Sequence, residues 1–166
     1  MSQAEAQVVI LMGSANDHDT IVSCRKALDN LGISHEAKVL SAHRTPGPLM
    51  AYLETLPAKG TQVIVAAAGM AAHLAGVVAA HSQLPVLGLP IAAGPLSGFD
   101  ALLSTVQMPG GVPVASMGIG SAGAKNAAYM AARIIGLNDE KVRARLVEVV
   151  KGDANKVLSA ELPTEY

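Results

Sequence analysis

The feature that most constrains this chain is a long internal segment almost without charge. Between Gly60 and Ala124 the only charged side chain is Asp100, whereas residues 1–59 and 125–166 carry all the others. The stretch at 63–80, VIVAAAGMAAHLAGVVAA, is long and apolar enough to span a bilayer. Against a membrane span, histidines interrupt and follow it, and three prolines at 85, 90 and 95 punctuate the chain beyond it, as in short strands and turns. We therefore predict that this segment lies in a protein interior.

A nearly uncharged segment of this length must be shielded from solvent on both faces by other parts of the protein. Central parallel strands carry helices on both faces and read as continuous apolar runs, and helices that are apolar all round must also be buried. In a chain of 166 residues, part of that cover can come from other copies of the chain. We therefore predict an obligate homo-oligomer with the 60–124 region at its centre.

Composition excludes several classes of protein. A hydrophobic fraction of 51% with 15% charged residues argues against disorder, and a formal net charge of −1 offers no electrostatic attraction for nucleic acid or an acidic membrane. The single cysteine, Cys24, cannot form an internal disulfide. The opening MSQAEAQ lacks the basic region of a signal peptide. We predict one cytoplasmic domain over residues 1–166 with no nucleic-acid or membrane partner.

Apolar strands alternate with helical patterns along the chain. This alternation predicts an α/β fold, a three-layer α/β/α sandwich with a central parallel sheet of about five strands, of the flavodoxin-like or Rossmann-like kind. The predicted strands are 8–12, 36–40, 62–67, 85–89 and 112–117, the second of them nearer an edge because it mixes apolar and charged residues. The predicted helices are 17–31, 45–56, 71–81, 98–106, 123–135 and a C-terminal amphipathic helix at about 139–158.

Polar and glycine-rich loops follow the first four strands, at 13–17, 41–46, 66–73 and 90–98. Ligands of such sheets bind at the carboxyl ends of the strands, so this edge is the predicted site. Gly13 and Ser14, between a strand and a helix start, form either an anion cradle or an ordinary capped turn. Asp17 either caps that helix or binds ribose hydroxyls. Neither a P-loop nor a GxGxxG motif is present.

Two adjacent residues carry the chemistry available at this edge. Arg44 is the only basic residue of the four loops, so it is the natural partner of a phosphate, or else a surface charge. His43 is the candidate general acid/base, because imidazole titrates near neutral pH. From the residues alone, His73 is more commonly a core or helix-start histidine. These residues predict a site for a phosphorylated small molecule, with the reaction undetermined.

The remaining polar residues and Cys24 form no recognisable metal-binding or hydrolase motif. No HExxH or CxxC spacing occurs, so we predict no metal site. Without a GxSxG motif, a serine hydrolase has no support. Cys24 falls on the apolar stripe of its helix and is predicted to be a buried small hydrophobe.

Several motifs in this order resemble the PurE family of purine biosynthesis, from about residue 8 to 135. MGSANDHD at 12–19 resembles the family's opening, and SAHRTP at 41–46 matches its central signature without change. AAGMAAHLAG at 67–76 is similar to the family's GAGGAAHLPG. PVLGLP at 85–90, DALLSTVQMPGGVPV at 100–114 and GAKNAAYMAARI at 123–134 follow the usual pattern. The HRTP form resembles the bacterial class I branch, whereas the class II branch typically has lysine in place of Arg44.

The resemblance implies an N5-carboxyaminoimidazole ribonucleotide mutase, which moves a carboxylate from the exocyclic nitrogen to C4 of the imidazole ring without metal or organic cofactor. His43 would be the acid/base. Ser14, Asn16, Ser41 and Arg44 would hold the 5′-phosphate of the ribonucleotide substrate, and Asp17 the ribose hydroxyls. The segment 68–74 would line the base and the migrating CO2. The full set of implied substrate-binding residues is Ser14, Asn16, Asp17, Ser41, Ala42, Arg44, Ala68, Gly69, Met70, Ala71, His73 and Leu74. The family is octameric, so the resemblance implies a homo-octamer.

The chain departs from the family pattern at a few positions. Asn16 replaces a serine, and Ala67, Met70 and Ala75 replace two glycines and a proline of the pocket segment. The methyl of Ala67 and the bulk of Met70 matter if those positions need a positive φ or close contact with substrate. Two alternatives to the mutase stay open: a direct carboxylase that uses CO2 and aminoimidazole ribonucleotide, and a non-catalytic nucleotide-binding module.

Overall fold

A computed structural model describes residues 6–162 as a five-stranded sheet flanked by six helices. The predicted single domain includes residues 1–5 and 163–166, which lie outside the described part. The strands are β1 (Val8–Met12), β2 (His35–Val39), β3 (Val63–Gly69), β4 (Val86–Ile91) and β5 (Ala115–Ser116). The helices are α1 (His18–Asn30), α2 (Pro46–Thr55), α3 (Leu74–His81), α4 (Phe99–Val106), α5 (Gly120–Ile135) and α6 (Glu140–Leu158).

The sheet is parallel throughout, in the order β2-β1-β3-β4-β5. The chain starts in β1, adds β2 on one side and then crosses to β3 on the other, so the strand order reverses between β1 and β3. This is the flavodoxin-like order, in which the reversal opens a crevice at the carboxyl ends of the strands. The prediction of a parallel α/β sheet of about five strands is confirmed, and β2 lies at an edge as its mixed composition indicated.

Two cores cover the two faces of the sheet. On one face, Ile10 of β1, Val65 of β3 and Leu89 of β4 pack against α1 and α5, and α6 lies outside α5. On the other face, Val9, Leu11, Ile64 and Ala66 pack against α2, α3 and α4. The first four residues of β1 and the first three of β3 are completely inaccessible to solvent, which explains why these strands read as continuous apolar runs.

The apolar stretch at 63–80 divides into a strand and a helix. Its first part is the central strand β3, and its last part belongs to α3. Among the described residues, no helix has the length and apolar character that a membrane crossing requires.

Three predicted elements differ from those observed by three residues or more at one end. Helix α5 begins at residue 120 rather than 123. Helix α3 begins at residue 74 rather than 71, because Met70 adopts a left-handed conformation (φ 58°) that ends the strand and delays the helix. The fifth strand is two residues long instead of six, since Pro113 has no N–H to donate to the ladder. The C-terminal helix spans Glu140–Leu158, and Asp139 accepts hydrogen bonds from the N–H groups of Lys141 and Val142 as its N-cap.

Candidate active site

A cleft of about 500 Å³ opens at the carboxyl ends of the strands, over the point where the strand order reverses. Every residue that the sequence indicated for the site lines this cleft: Ser14, Asn16, Asp17, Ser41, Ala42, His43, Arg44, Ala68, Gly69, Met70, Ala71, His73 and Leu74. Gly13 and Ala93 complete the lining. The structure thus brings together side chains from the loops after β1, β2, β3 and β4.

The loop after β1 is a compact turn that starts a single 3₁₀ turn at 15–17. The Ser14 hydroxyl accepts from the N–H of Asn16 at 3.2 Å, and the Asp17 carboxylate accepts from the N–H of Ser14 at 3.0 Å. This reciprocal arrangement is a capping box. The side chains of Ser14 and Asp17 therefore hold the turn in shape at one end of the cleft.

Asp17 is buried, with 7% of its surface exposed. Burial raises the pKa of its carboxyl above the ordinary value, an effect partly offset by the Ser14 N–H and by the positive charge of Arg44. A carboxylate buried in this way costs less free energy when a polar ligand hydrogen-bonds to it. Asp17 caps the 3₁₀ turn and lines the cleft, but its side chain makes no capping hydrogen bond to α1, so the interpretation as the cap of that helix is wrong. The binding of ribose hydroxyls stays a prediction.

The loop after β2 is held by hydrogen bonds between its ends. The N–H of Ser41 donates to the Thr45 hydroxyl at 2.8 Å, and that hydroxyl donates to the Ser41 carbonyl at 3.1 Å. The Ser41 hydroxyl in turn accepts from the N–H of Arg44 at 3.2 Å. The turn that carries His43 and Arg44 is therefore tied to the start of α2.

Arg44 reaches across to the first loop, where its Nη2 donates to the Gly13 carbonyl at 2.6 Å. The guanidinium lies at the end of the cleft formed by Ser14, Asn16 and Ser41, and the side chain is exposed. A planar guanidinium has five N–H donors, so a phosphate at this end of the cleft can be bound by those that the Gly13 carbonyl leaves free.

The two histidines of the cleft form a direct contact. His43 Nε2 lies 2.9 Å from His73 Nδ1, and the rings meet edge to face with centroids 5.0 Å apart. His73 is the N-cap residue of α3 and is exposed at the cleft. The sequence suggested either a histidine at a helix start or a histidine in the core. The first interpretation is confirmed and the second is wrong. Sequence reasoning from the residues had no signal for this contact, because the two positions lie 30 residues apart.

Small side chains form the wall between the histidines and the sheet. Ala68 and Gly69 end β3 at the floor of the cleft, and Leu74 is buried behind them. A methyl group at Gly69 would lie 2.8 Å from the Ala93 Cβ, so glycine permits the close approach of these two loops. Met70, with 57% of its surface exposed, is the one large side chain of this wall.

Ala93 is a lining residue that the motifs did not identify, although its loop after β4 had been placed at this edge.

Cys24 is fully buried on α1, and burial raises the pKa of its thiol to about 12, so it is chemically inert. Within residues 6–162, no three histidine, cysteine or carboxylate side chains come close enough to bind a metal ion.

The fold and the cleft define the class of protein: a flavodoxin-like α/β protein whose crevice combines a guanidinium, a histidine pair and a wall of small apolar groups. A profile of the AIR carboxylase family matches residues 7–156. This chain therefore belongs to the AIR carboxylase family, and the resemblance drawn from its motifs is confirmed.

Named relatives are similar over nearly their whole length. An N5-carboxyaminoimidazole ribonucleotide mutase of Brucella melitensis is 48% identical over 157 residues, which cover 95% of this chain and 96% of the relative. The protein of the same name from Bacillus subtilis is 47% identical, covering 92% and 94%. Among solved structures, Treponema denticola PurE superposes with a TM-score of 0.83 at 27% identity, covering 91% of this chain and 93% of the other.

Proposed function

We propose that this chain is an N5-carboxyaminoimidazole ribonucleotide mutase, an isomerase of purine biosynthesis. The observation that carries the proposal is the cleft that a guanidinium, a pair of histidines and small apolar side chains line together. The names of the relatives, 44–48% identical over nearly the full chain, support the same reaction.

In the proposed reaction, His43 takes part in two proton transfers: it donates a proton to the exocyclic nitrogen and later accepts one from C4. The bond between the exocyclic nitrogen and its carboxylate breaks, releasing CO2, and the imidazolium of His43 protonates the nitrogen. C4 of the resulting aminoimidazole then attacks CO2, forming the new carbon–carbon bond. The C4 proton then passes to His43, so the histidine returns to its protonated state while the proton that it gave stays on the exocyclic nitrogen. Substrate and product differ only in the position of the carboxylate, and no external reactant is consumed.

The small apolar wall suits the retention of CO2 between these steps. Gas released from the carbamate must stay against C4 rather than escape or react with water. Ala68, Gly69, Ala71 and Leu74 offer no hydrogen-bonding side chain there, and Gly69 packs closely against Ala93 in the same wall.

The polar end of the cleft suits the ribose phosphate. We assign the 5′-phosphate to Arg44 with Ser14, Asn16 and Ser41, since these residues line the same cleft and supply N–H and O–H donors together with one positive charge. Asn16 stands where the family has serine, and its amide can still donate to a phosphate oxygen. The buried Asp17 carboxylate, next to this group, is placed to accept from ribose hydroxyls.

A direct carboxylase on the same scaffold is the second candidate, and Arg44 argues against it because the class II branch typically has lysine at this position. Purified protein offered N5-carboxyaminoimidazole ribonucleotide should form the 4-carboxy product rapidly at low bicarbonate. The same protein offered aminoimidazole ribonucleotide and CO2 should form it slowly. Efficient product from the second mixture alone would establish the carboxylase, and no product from either would leave a nucleotide-binding module.

We further propose that the protein is a cytoplasmic homo-octamer. Leu96, Phe99, Leu103 and Val106 recur at helical spacing along α4 and the loop before it, each 50–65% exposed. An apolar stripe of this kind on a protein surface marks an interaction site. Light scattering at micromolar concentration should give about eight times the 16.9 kDa chain mass. Leu103→Glu should lower that mass, whereas Val147→Glu on α6 should not; a monomeric wild type would refute the proposal.

A further inference from the structure

The contact between His43 and His73 joins two rings whose backbones are both held in place. His43 lies in the turn closed by the hydrogen bonds between Ser41 and Thr45. His73 is the N-cap residue of α3, and its carbonyl accepts from the N–H of Val77 at 3.0 Å. The backbones that carry the two rings are therefore held in place on both sides of the 2.9 Å contact between His43 Nε2 and His73 Nδ1.

A hydrogen bond between two imidazole nitrogens needs one donor and one acceptor, so it specifies the tautomer of both rings. If His43 donates from Nε2, its Nδ1 is left for the substrate in both states of the cycle. That nitrogen is bare when His43 acts as a base and protonated when it acts as an acid, while Nε2–H stays bonded throughout. If His73 donated instead, Nε2 of neutral His43 would be the acceptor and the proton of His43 would lie on Nδ1. That nitrogen could then not accept the proton from C4.

The surroundings favour His73 as the acceptor. His73 is the N-cap residue of α3, and its side chain makes no capping hydrogen bond to the helix, so its Nδ1 is available to accept from His43. When His43 is an imidazolium, a neutral acceptor at 2.9 Å stabilises it, and a donor at that distance would repel it. The arrangement resembles a carboxylate that orients a catalytic histidine, with a neutral ring in place of the carboxylate.

We propose that His73 is a positioning residue: it accepts a hydrogen bond from His43 Nε2–H through Nδ1, and thereby keeps His43 Nδ1 free for the substrate proton. This assignment rests on the proposed function in that the proton belongs to the mutase reaction. The tautomer of His43 itself is a property of the protein without substrate.

Two conservative variants of His73 test the contact kinetically. The amide of His73→Asn places an acceptor where Nδ1 stands, whereas the amide of His73→Gln reaches the position of Nε2. We expect the Asn variant to keep kcat within about tenfold of wild type and the Gln variant to lose about a hundredfold or more, the usual scale of general acid/base catalysis. KM should change much less than kcat in both. Equal kcat in the two variants, or a loss confined to KM, would overturn the proposal.

A second measurement does not depend on turnover. Solid-state ¹⁵N NMR of histidine-labelled protein, with the His43 signals assigned by their loss in His43→Asn, reports which ring nitrogen carries the proton. At a pH where His43 is neutral, we expect the Nε2–H tautomer in the wild type. A wild-type His43 protonated on Nδ1 would overturn the proposal, even if His73→Gln failed to fold. A protein inactive on the mutase substrate but with the Nε2–H tautomer would refute the proposed function and leave the positioning contact standing.

Discussion

Replacing Gly69 by Ala tests whether the close contact of two loops shapes the cleft. The added methyl would lie 2.8 Å from the Ala93 Cβ, where ordinary contacts need at least 3.4 Å, and it would also lie 3.4 Å from the Ile91 carbonyl oxygen. The backbone at Gly69 is not in the left-handed region, so the cost comes from the contact alone. Overpacking of this kind costs about 1–3 kcal/mol of stability.

The strain is expected to move the loop after β4 rather than β3. Strand β3 is paired with β1 as far as Ala67 and with β4 as far as Gly69, whereas the loop contains three left-handed residues, Gly94, Ser97 and Gly98. Displacement of Ala93 changes the wall of the cleft. Because misplacement of about 1 Å can cost 10²-fold in rate, we expect kcat/KM to fall by about ten- to a hundredfold.

Thermal unfolding and steady-state kinetics, at one protein concentration, measure the two effects. For a chain of this size a loss of 1–3 kcal/mol lowers Tm by about 2–12 °C. Gly47→Ala is the matched control, because a methyl there meets open space on α2 and should lower neither Tm nor kcat/KM. A Gly69→Ala protein with the Tm and kcat/KM of the control would refute this reasoning.

Three further substitutions address proton transfer, phosphate binding and the buried carboxylate. His43→Asn should lower kcat by at least about 10²-fold and leave the Kd for product, measured by calorimetry, nearly unchanged; a kcat within about tenfold of wild type contradicts the role. Arg44→Ala should weaken product binding by about 1.5–3 kcal/mol, and an unchanged Kd would place the phosphate elsewhere. Burial raises the pKa of Asp17 in the folded protein. The protonated carboxyl therefore stabilises the folded state, and this contribution to stability is lost as the pH rises through the folded pKa. Asp17→Asn should therefore raise Tm at pH 7, and the gain should vanish below the unfolded value of 3.8; a gain that persists there would exclude this cause.

Much of the fold could be predicted from the sequence because local patterns specify local structure. The apolar runs at Val8–Met12 and in β3 have no polar residue to turn toward solvent, which indicates strands buried on both faces. Strands and helices then alternate along the chain, and this alternation indicates a parallel sheet. In such a sheet the polar loops that follow the strands lie at one edge. The boundaries of the elements were less predictable. Strand β5 is shorter than its apolar pattern because Pro113 lacks a backbone N–H, and α3 starts later than predicted because Met70 adopts a left-handed backbone conformation. A pattern of hydrophobic residues records neither effect.

The sequence by itself determined the fold class, the edge of the sheet that carries the site and, through motifs such as SAHRTP, the family. These follow from the order of residues along the chain. Only the tertiary structure decided that β1 separates β2 from β3, and hence that the loops carrying His43 and His73 meet across it. Neither that contact nor the approach of Gly69 to Ala93 has a local signal, because each joins loops whose distance depends on strand order and packing.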